Sequence, residues 1–168
     1  LALSRKITII NGLATFNSAN QLLIEDSQKK QIQLDFENCI IATGSCPQII
    51  PTLNKKHPSI INSTDALNFK DIPERLLIIG GGYIGLELGQ VFSSLGTKVS
   101  IAEFLPSILS LADSDLANIL AKSLERKFEN IFTSTEITEL IPKSDNHIIA
   151  TFKNDTTFKD SFNKVLIC

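Results

Sequence analysis

Apolar and polar positions in the middle of the chain follow the pattern of a strand, a turn, a helix and a second strand. Residues 76–79 are four consecutive aliphatic side chains, which is typical of a strand buried on both faces. Glycines follow this run, and apolar residues then recur with helical spacing over 83–95. Gly96 is expected to end the helix, and residues 98–103 again have the composition of a strand.

On both sides of this unit, apolar and polar residues alternate with a period of two, as in half-buried strands. In the N-terminal part we expect short strands over 6–10, 14–16, 21–25 and 31–36. In the C-terminal part we expect strands over 136–141, 147–152, 157–162 and 164–168. The short polar turns between them predict an antiparallel β-meander in each part.

Segments 20–42 and 146–168 match each other at a constant offset of 126 residues, with Leu22 on Ile148 and Phe36 on Phe162. In this alignment residues 39–42 are a buried strand that leads into a turn of small residues, where a backbone can approach a ligand. The match predicts two units of common design, although two amphipathic hairpins can also match by chance.

The remaining elements are predicted from helix signals. Ser63 or Thr64 is the expected cap of a short turn over 65–69. After Pro106, we expect a longer helix that Asp113 or Ser114 caps and Asn130 ends, followed by a third parallel strand over 131–133. One apolar face of that helix is predicted, consisting of Leu116, Ile119, Leu120, Leu124 and Phe128. These patterns together favour an α/β chain.

The glycines after the first strand fit G-x-G-x-x-G, the pattern of a turn that holds a pyrophosphate. Gly80 allows the sharp turn, Gly82 lets the phosphates approach the backbone, and Gly85 lets the helix pack close to the sheet. The positions between them are Gly81, Tyr83 and Ile84. Such a motif alone is weak evidence, but here a strand precedes it, a helix follows it and the next strand ends in an acid.

That acid is Glu103, which lies 21 residues after Gly82. At this spacing a carboxylate reaches the 2′-hydroxyl of an adenosine ribose. No Lys or Arg occurs between Glu103 and Lys122 to hold a 2′-phosphate, which favours NAD over NADP. Together with the strands and helices predicted above, these features favour an α/β chain with a Rossmann-like dinucleotide-binding fold, a parallel sheet and antiparallel β-meander crossovers. The two matching segments would then belong to two nucleotide-binding units. The alternatives are a glycine-rich turn without a ligand and a solvated carboxylate at a strand end.

Composition limits the remaining possibilities. With 168 residues, 43% hydrophobic, 20% charged and a net charge of −2, the chain is typical of soluble globular proteins. It has neither the basic excess of a nucleic-acid-binding protein nor an apolar run of membrane-spanning length, so a cytoplasmic setting is the default. Cys39, Cys46 and Cys168 form no metal motif and, being three, no complete disulfide framework. Because the chain begins at Leu1 without a signal-peptide pattern, we expect it to be part of a longer protein.

Four segments resemble the dihydrolipoyl dehydrogenases among the pyridine nucleotide–disulfide oxidoreductases. They are ATGSCPQIIP at 42–51, INSTDALNF at 61–69, IPERLLIIGGGYIGLELGQVFSSLGTKVSIAEFLPSIL at 72–109 and DSDLANILAKSL at 113–124. The resemblance implies a homodimeric flavoprotein in which dihydrolipoamide, carried by a 2-oxo acid dehydrogenase complex, reduces a redox-active disulfide. The disulfide reduces FAD, and FAD passes a hydride to NAD+. Residues 1–70 would be the tail of the first FAD-binding segment, and 71–168 an NAD-binding domain truncated at its C-terminal end.

The same resemblance implies roles for individual residues. Thr43, Gly44 and Ser45 would lie against FAD, and Ala14 would be near its adenine. Ile137 would be near the adenine of NAD.

Tyr83 corresponds to an aromatic lid over the flavin in some relatives, and its alternative is a packing role. Glu87 matches a carboxylate near the flavin and nicotinamide. Because an unpaired buried carboxylate is unfavourable, we expect a functional or ion-paired role for Glu87.

The family's first FAD fingerprint, its C-x-x-x-x-C disulfide and its His-Glu base pair are absent from the sequence. His57 and His147 match no catalytic position, so we expect no catalytic residue in this chain and no activity from it alone. NADH oxidases and nicotinamide transhydrogenases of the same superfamily would fit the glycine turn and Glu103 nearly as well. An NAD(H)-binding module without catalysis is the other alternative.

Overall fold

The computed structural model describes residues 2–47, 49–53, 55–144 and 146–168. Its contacts divide the chain into two compact units, one ending at Ser45 and one extending from Cys46 to Cys168. Each unit has its own sheets and is described separately.

The first unit is an antiparallel meander preceded by a short 3-10 helix at Leu3–Arg5. Its strands are β1 (Leu13–Ser18), β2 (Gln21–Glu25) and β3 (Gln31–Asp35), with β2 in the centre. These three strands confirm the predictions to within two residues at each end. The strand predicted over 6–10 is wrong, because residues 7–10 have no regular structure.

One face of this meander is apolar along all three strands. The strand register places six side chains on it, namely Ala14, Phe16, Leu22, Ile24, Ile32 and Leu34. Phe16 and Leu34 are 55% and 39% exposed, and only Ile24 is fully buried. Within the described part of the first unit, no second layer covers this face.

The buried strand predicted over 39–42 is also wrong. These residues are irregular, and Ile40 and Ile41 are 91% and 69% exposed. An extended segment becomes a strand only when its backbone groups pair with a neighbour. No described strand of the first unit pairs with this segment.

The second unit is organised around a five-stranded parallel sheet with the order β4-β11-β5-β6-β7. Its strands are β4 (Ile60–Asn62), β5 (Arg75–Ile79), β6 (Lys98–Ala102), β7 (Asn130–Phe132) and β11 (Lys164–Ile167). Four of these strands were expected and are confirmed. β4 was not, because a three-residue strand is too short to show a period.

Both faces of the central strand β5 are covered, which explains its unbroken apolar sequence. Leu76 and Ile78 pack into a cluster that includes the helical residues Leu86 and Phe92. Leu77, on the opposite face, packs into a cluster formed largely by the second meander. The sheet is therefore the middle layer of three.

Three helices accompany this sheet: α1 (Ser63–Leu67), α2 (Tyr83–Ser94) and α3 (Ser114–Leu124). The cap of α1 is Asn62 rather than Ser63 or Thr64. Its side-chain oxygen accepts a hydrogen bond from the backbone amide of Asp65, and the Asp65 carboxylate accepts one from the backbone amide of Asn62. The predicted end of α2 is confirmed, because Gly96 follows it with a φ of +99°.

Helix α3 differs from its prediction in length and orientation. Asp113 is at the N-cap position as expected, but the helix ends at Leu124 and Asn130 begins β7 instead. Two predicted core residues, Leu116 and Ile119, are 61% and 69% exposed. The helix instead faces the core with Ala117 and Leu124, since an alanine allows a closer approach of the helix backbone.

The second meander covers the other face of the parallel sheet. Its strands are β8 (Glu136–Ser144), β9 (His147–Lys153) and β10 (Thr157–Phe162), with β9 in the centre. The rings of Phe152 and Phe158 stack at 4.7 Å between centroids. The middle strands of the two meanders begin at Gln21 and His147, the offset that the sequence match predicts.

Arg75, the first residue of β5, joins three segments of the second unit at the end of the sheet away from the glycines. Its guanidinium donates to both oxygens of Asp160 at 2.9 Å and to Glu129 at 2.9 and 3.2 Å. It also lies over the Phe162 ring, 4.8 Å from the centroid. Hydrogen bonding with Arg75 holds the pKa of the Asp160 carboxyl below its usual value of 3.8.

Arg75→Met is expected to destabilise the protein by about 1–2 kcal/mol at neutral pH. A partly buried bidentate ion pair contributes more to the free energy of unfolding than an exposed ion pair does. A carboxyl whose pKa is lowered on folding adds stability above its unfolded pKa and loses it as pH falls through its folded pKa. The difference between wild type and variant should therefore shrink below the usual pKa of 3.8. Urea unfolding across pH tests this, and a difference independent of pH would contradict it.

Candidate functional site

The turn after β5 requires glycine at Gly80 for reasons of the fold itself. Gly80 has a φ of +113°, which side chains rarely tolerate, and a Cβ there would lie 2.7 Å from the carbonyl oxygen of Cys168. The Gly80 amide donates to the Ala102 carbonyl at 2.9 Å, which fixes the turn against β6.

Gly85 and Gly89 let α2 approach the sheet. A Cβ at Gly85 would overlap the carbonyl oxygen of Gly80 and come within 3.1 Å of an Ile78 methyl group. A Cβ at Gly89 would lie 2.9 Å from the Phe128 ring. The first turn of α2 is thereby held directly above the end of β5.

Gly82 is different, because nothing within the protein requires a glycine there. It is the N-cap of α2, with φ −76° and ψ 176°, an extended conformation open to any residue. Apart from Gly82 itself and its two chain neighbours, no atom of the described residues lies within 4 Å of the place where its Cβ would be. The amides of the first helical turn have no partner within the helix, so open space adjoins a group of hydrogen-bond donors.

Glu103 follows β6 directly, and its carboxylate is held by two backbone amides. The Gly81 amide donates to Oε2 at 2.6 Å, and the Leu105 amide donates to Oε1 at 2.7 Å. Its own amide donates to the Phe132 carbonyl at 2.7 Å. The carboxylate is thus fixed beside the glycine turn, unlike a freely solvated acid at a strand end.

Two clefts meet at Glu103. One of about 250 Å³ also contains Gly80, Thr135 and Ile137. The other, of about 460 Å³, is lined by residues 81–83 and 109–112 together with Glu103. Both lie at the carboxyl ends of the parallel strands, the edge at which open α/β sheets bind ligands.

The predicted residues of the second unit therefore lie close to one another. Three of them, however, are exposed on the surface of α2. Tyr83 is 68% exposed and Ile84 is 37% exposed on α2. Glu87 is exposed as well, and its side chain has no hydrogen bond or ion pair with any described residue. The premise that Glu87 is buried is wrong for this structure, because it lies on the outward face of α2.

Ala14 and the segment Thr43, Gly44 and Ser45 belong to the first unit. All four residues are exposed, and Gly44 has a φ of +75° with open space around it. The sheet that would support them is the uncovered meander described above.

Sequence reasoning missed the contribution of the loop between β6 and α3. The Leu109 amide donates to the Gly81 carbonyl at 2.9 Å, and Leu109 has a φ of +50°. The Ile108 side chain packs beside Gly81, where a Cβ would lie 2.9 Å from its methyl group. The hydrogen bond joins two backbone groups and the packing joins residues far apart in sequence, and a single sequence carries no signal for either.

The three cysteines are free thiols in the structure. Cys39 and Cys46 are exposed, whereas burial raises the pKa of Cys168 to about 11. Among the described residues, no cluster of His, Cys, Asp or Glu could hold a metal ion. None of the described helices combines the length and apolar character needed to cross a membrane.

Comparisons with known proteins agree with this architecture. A dihydrolipoyl dehydrogenase of Haemophilus influenzae is 39% identical over 145 residues, covering 86% of this chain and 30% of that protein. A mitochondrial dihydrolipoyl dehydrogenase of Dictyostelium discoideum is 38% identical over 140 residues, covering 83% and 28%. Among solved structures, the Cu(II) complex of the HOCl-induced flavoprotein disulfide reductase RclA from Escherichia coli superimposes with a TM-score of 0.79. It is 27% identical, and the match covers 100% of this chain and 37% of that one.

The chain thus spans about 30% of the length of the curated relatives that it matches. The profile of pyridine nucleotide-disulphide oxidoreductases matches residues 2–167, nearly the whole chain. The α/β fold with parallel and antiparallel sheets confirms the predicted fold class. On these grounds the chain belongs to the pyridine nucleotide-disulphide oxidoreductase family.

Proposed function

We propose that the second unit is the NAD(H)-binding part of a flavin-dependent dihydrolipoamide dehydrogenase. The observation that carries this proposal is the open space at Gly82, which adjoins both the helix N-terminus and the fixed carboxylate of Glu103. NAD+, when bound, supplies the hydride acceptor. The residues of this chain would hold and orient it.

The pyrophosphate would lie at the N-terminus of α2. The amides there are unpaired, and the helix dipole favours negative charge. A side chain at Gly82 would fill the space that the phosphates need, whereas glycine leaves it open. The backbone conformation at this position accepts any residue. We therefore infer that a glycine is present to leave room for the phosphates.

The adenosine ribose would lie at Glu103. Each carboxylate oxygen accepts one backbone amide, and a carboxylate offers about four acceptor positions in all. Capacity therefore remains for two ribose hydroxyls. A 2′-phosphate would meet a fixed negative charge, and neither Lys nor Arg lines the two clefts at Glu103.

The first unit would contribute to a neighbouring FAD-binding domain. Its three strands have the same order as those of the second meander, with the second strand in the centre. The apolar face of the second meander covers a parallel sheet, and we infer the same role for the apolar face of the first. Among its described residues, those that the resemblance assigns to FAD are the exposed turn at 43–45 and the exposed Ala14. Dihydrolipoamide, a redox-active disulfide, a 2-oxo acid dehydrogenase complex, a homodimer and a cytoplasmic location are part of the same proposal for the longer protein.

NADH is expected to bind the protein more tightly than NADPH, because Glu103 accepts ribose hydroxyls but repels a 2′-phosphate. Glu103→Ala should weaken the binding of NADH by about 1–3 kcal/mol, the scale of hydrogen bonds to a charged group. It should also reduce the preference for NADH over NADPH. Isothermal calorimetry with both nucleotides measures these changes.

Glu125→Ala is the matched control, since Glu125 is an exposed residue immediately after α3 that lines neither cleft at Glu103. It should leave both affinities unchanged. Equal affinity of the wild-type protein for NADH and NADPH would overturn the assignment of Glu103 to the ribose.

A further inference from the structure

We infer that Glu103 is a positioning residue as well as a ribose ligand, because its carboxylate holds the glycine turn and the following loop in place before any nucleotide binds. This inference rests on the proposed NAD(H) site and adds a second role for one of its residues. It predicts that Glu103 contributes to the binding of nucleotides that lack ribose hydroxyls.

The geometry of the unliganded site supports this second role. Glu103 Oε2 accepts from the Gly81 amide and Oε1 accepts from the Leu105 amide, so one carboxylate bridges the turn and the loop. The Leu109 amide makes a further hydrogen bond between the same loop and turn, donating to the Gly81 carbonyl at 2.9 Å. Both polar groups of the Gly81 backbone are therefore used within the protein.

Two consequences follow for the phosphate site. The Gly81 amide is committed to Glu103, which leaves the amides from Gly82 onward to bind phosphate. The orientation of Gly81 also sets the entry into α2, because Gly82 is the N-cap of that helix. Loss of the Glu103 bridge would let the turn sample other conformations, and ordering it would then reduce the binding free energy.

Simple electrostatics predicts the opposite effect. A carboxylate next to a phosphate site repels anionic ligands, so its removal alone should strengthen the binding of a nucleotide that makes no ribose contact with it. The sign of the change therefore distinguishes positioning from repulsion.

The test uses ADP and 2′,3′-dideoxy-ADP, which has the same base and phosphates but neither ribose hydroxyl. Affinities for both are measured by calorimetry with the wild-type chain, Glu103→Ala and Glu103→Gln. We expect Glu103→Ala to bind the dideoxy nucleotide about fivefold to tenfold more weakly than wild type, because ordering the released turn opposes binding. Glu103→Gln should lose less, because its amide oxygen still accepts one of the two backbone amides.

Hydrogen exchange gives a second readout, which serves even if Glu103→Ala binds too weakly for calorimetry. The amides of Gly81 and Leu105 should both exchange faster in Glu103→Ala, and one of them should do so in Glu103→Gln, whereas that of Thr97, beyond the C-terminal end of α2, should not change. The test of the positioning role is made with Glu103→Ala. Unchanged exchange at Gly81 would overturn the positioning role.

The nucleotide outcomes separate this inference from the proposed function. If the variants bind dideoxy-ADP as tightly as wild type or more tightly, Glu103 acts on the ribose alone and the positioning role is overturned, while the NAD(H) site stands. If wild type binds neither ADP nor NADH, the site and the inference both fail. Glu125→Ala again serves as the control for the general loss of a carboxylate and should match wild type.

Discussion

Gly82→Val is expected to lose NADH binding while the protein keeps its fold. The φ and ψ angles of Gly82 suit valine, and apart from Gly82 and its two chain neighbours no described atom lies within 4 Å of the added Cβ. We therefore expect the unliganded protein to accept the side chain. Its methyl groups would then occupy the space between the phosphates and the helix N-terminus. We expect the affinity for NADH to fall by at least about a hundredfold, equivalent to about 2.7 kcal/mol.

Calorimetry with NADH, combined with thermal unfolding followed by circular dichroism, tests this expectation. Gly82→Ala should show a smaller loss of affinity, because a single methyl group fills less of the same space. Retained NADH affinity in Gly82→Val would mean that the open space at Gly82 is not the phosphate site. A large fall in the unfolding temperature would mean that the glycine serves the fold instead.

Gly85→Ala is expected to have a different consequence from Gly82→Val. It should lower the stability of the fold, whereas Gly82→Val should lower the affinity for NADH. Alanine in a helix is intrinsically favoured over glycine by about 1 kcal/mol. At Gly85, however, the Cβ would overlap the Gly80 carbonyl oxygen and crowd Ile78 at the top of the core. We expect this crowding to dominate and the free energy of unfolding to fall by about 3 kcal/mol or more.

Urea unfolding measures this change, and Gly82→Ala provides the matched control. Both variants add one methyl group at the start of the same helix, but only the one at Gly85 meets backbone atoms. A stability equal to wild type in Gly85→Ala would show that α2 can move away from β5 at little cost. The pair of variants therefore separates the glycine required for packing from the glycine left open for a ligand.

The segment from β5 to Glu103 could be predicted from the sequence because its signals are local. An aliphatic run, three glycines, a helical period and a second strand are each read within a few residues. The spacing of Glu103 from Gly82 adds a constraint that chance rarely meets. The structure agrees with each of these elements to within one residue.

Other features depend on contacts between distant residues and could not be predicted. The orientation of α3 depends on tertiary packing, which buries Ala117 and leaves Leu116 61% exposed. Residues 39–42 have the composition of a strand, but composition cannot supply a neighbouring strand. The Glu103 bridge joins backbone amides of Gly81 and Leu105, which no side-chain pattern encodes.

The uncovered face of the first meander has a practical consequence for solubility. Phe16 and Leu34 on that face, and Ile40 and Ile41 beyond it, present apolar surface to water, while β1 and β3 are edge strands that can pair with other chains. We therefore expect this surface, together with exposed apolar side chains of the second unit such as Leu111, to limit the concentration at which the polypeptide stays dispersed. In a cell, we expect the same surface to be a part of the chain that a chaperone binds whenever the face is left uncovered.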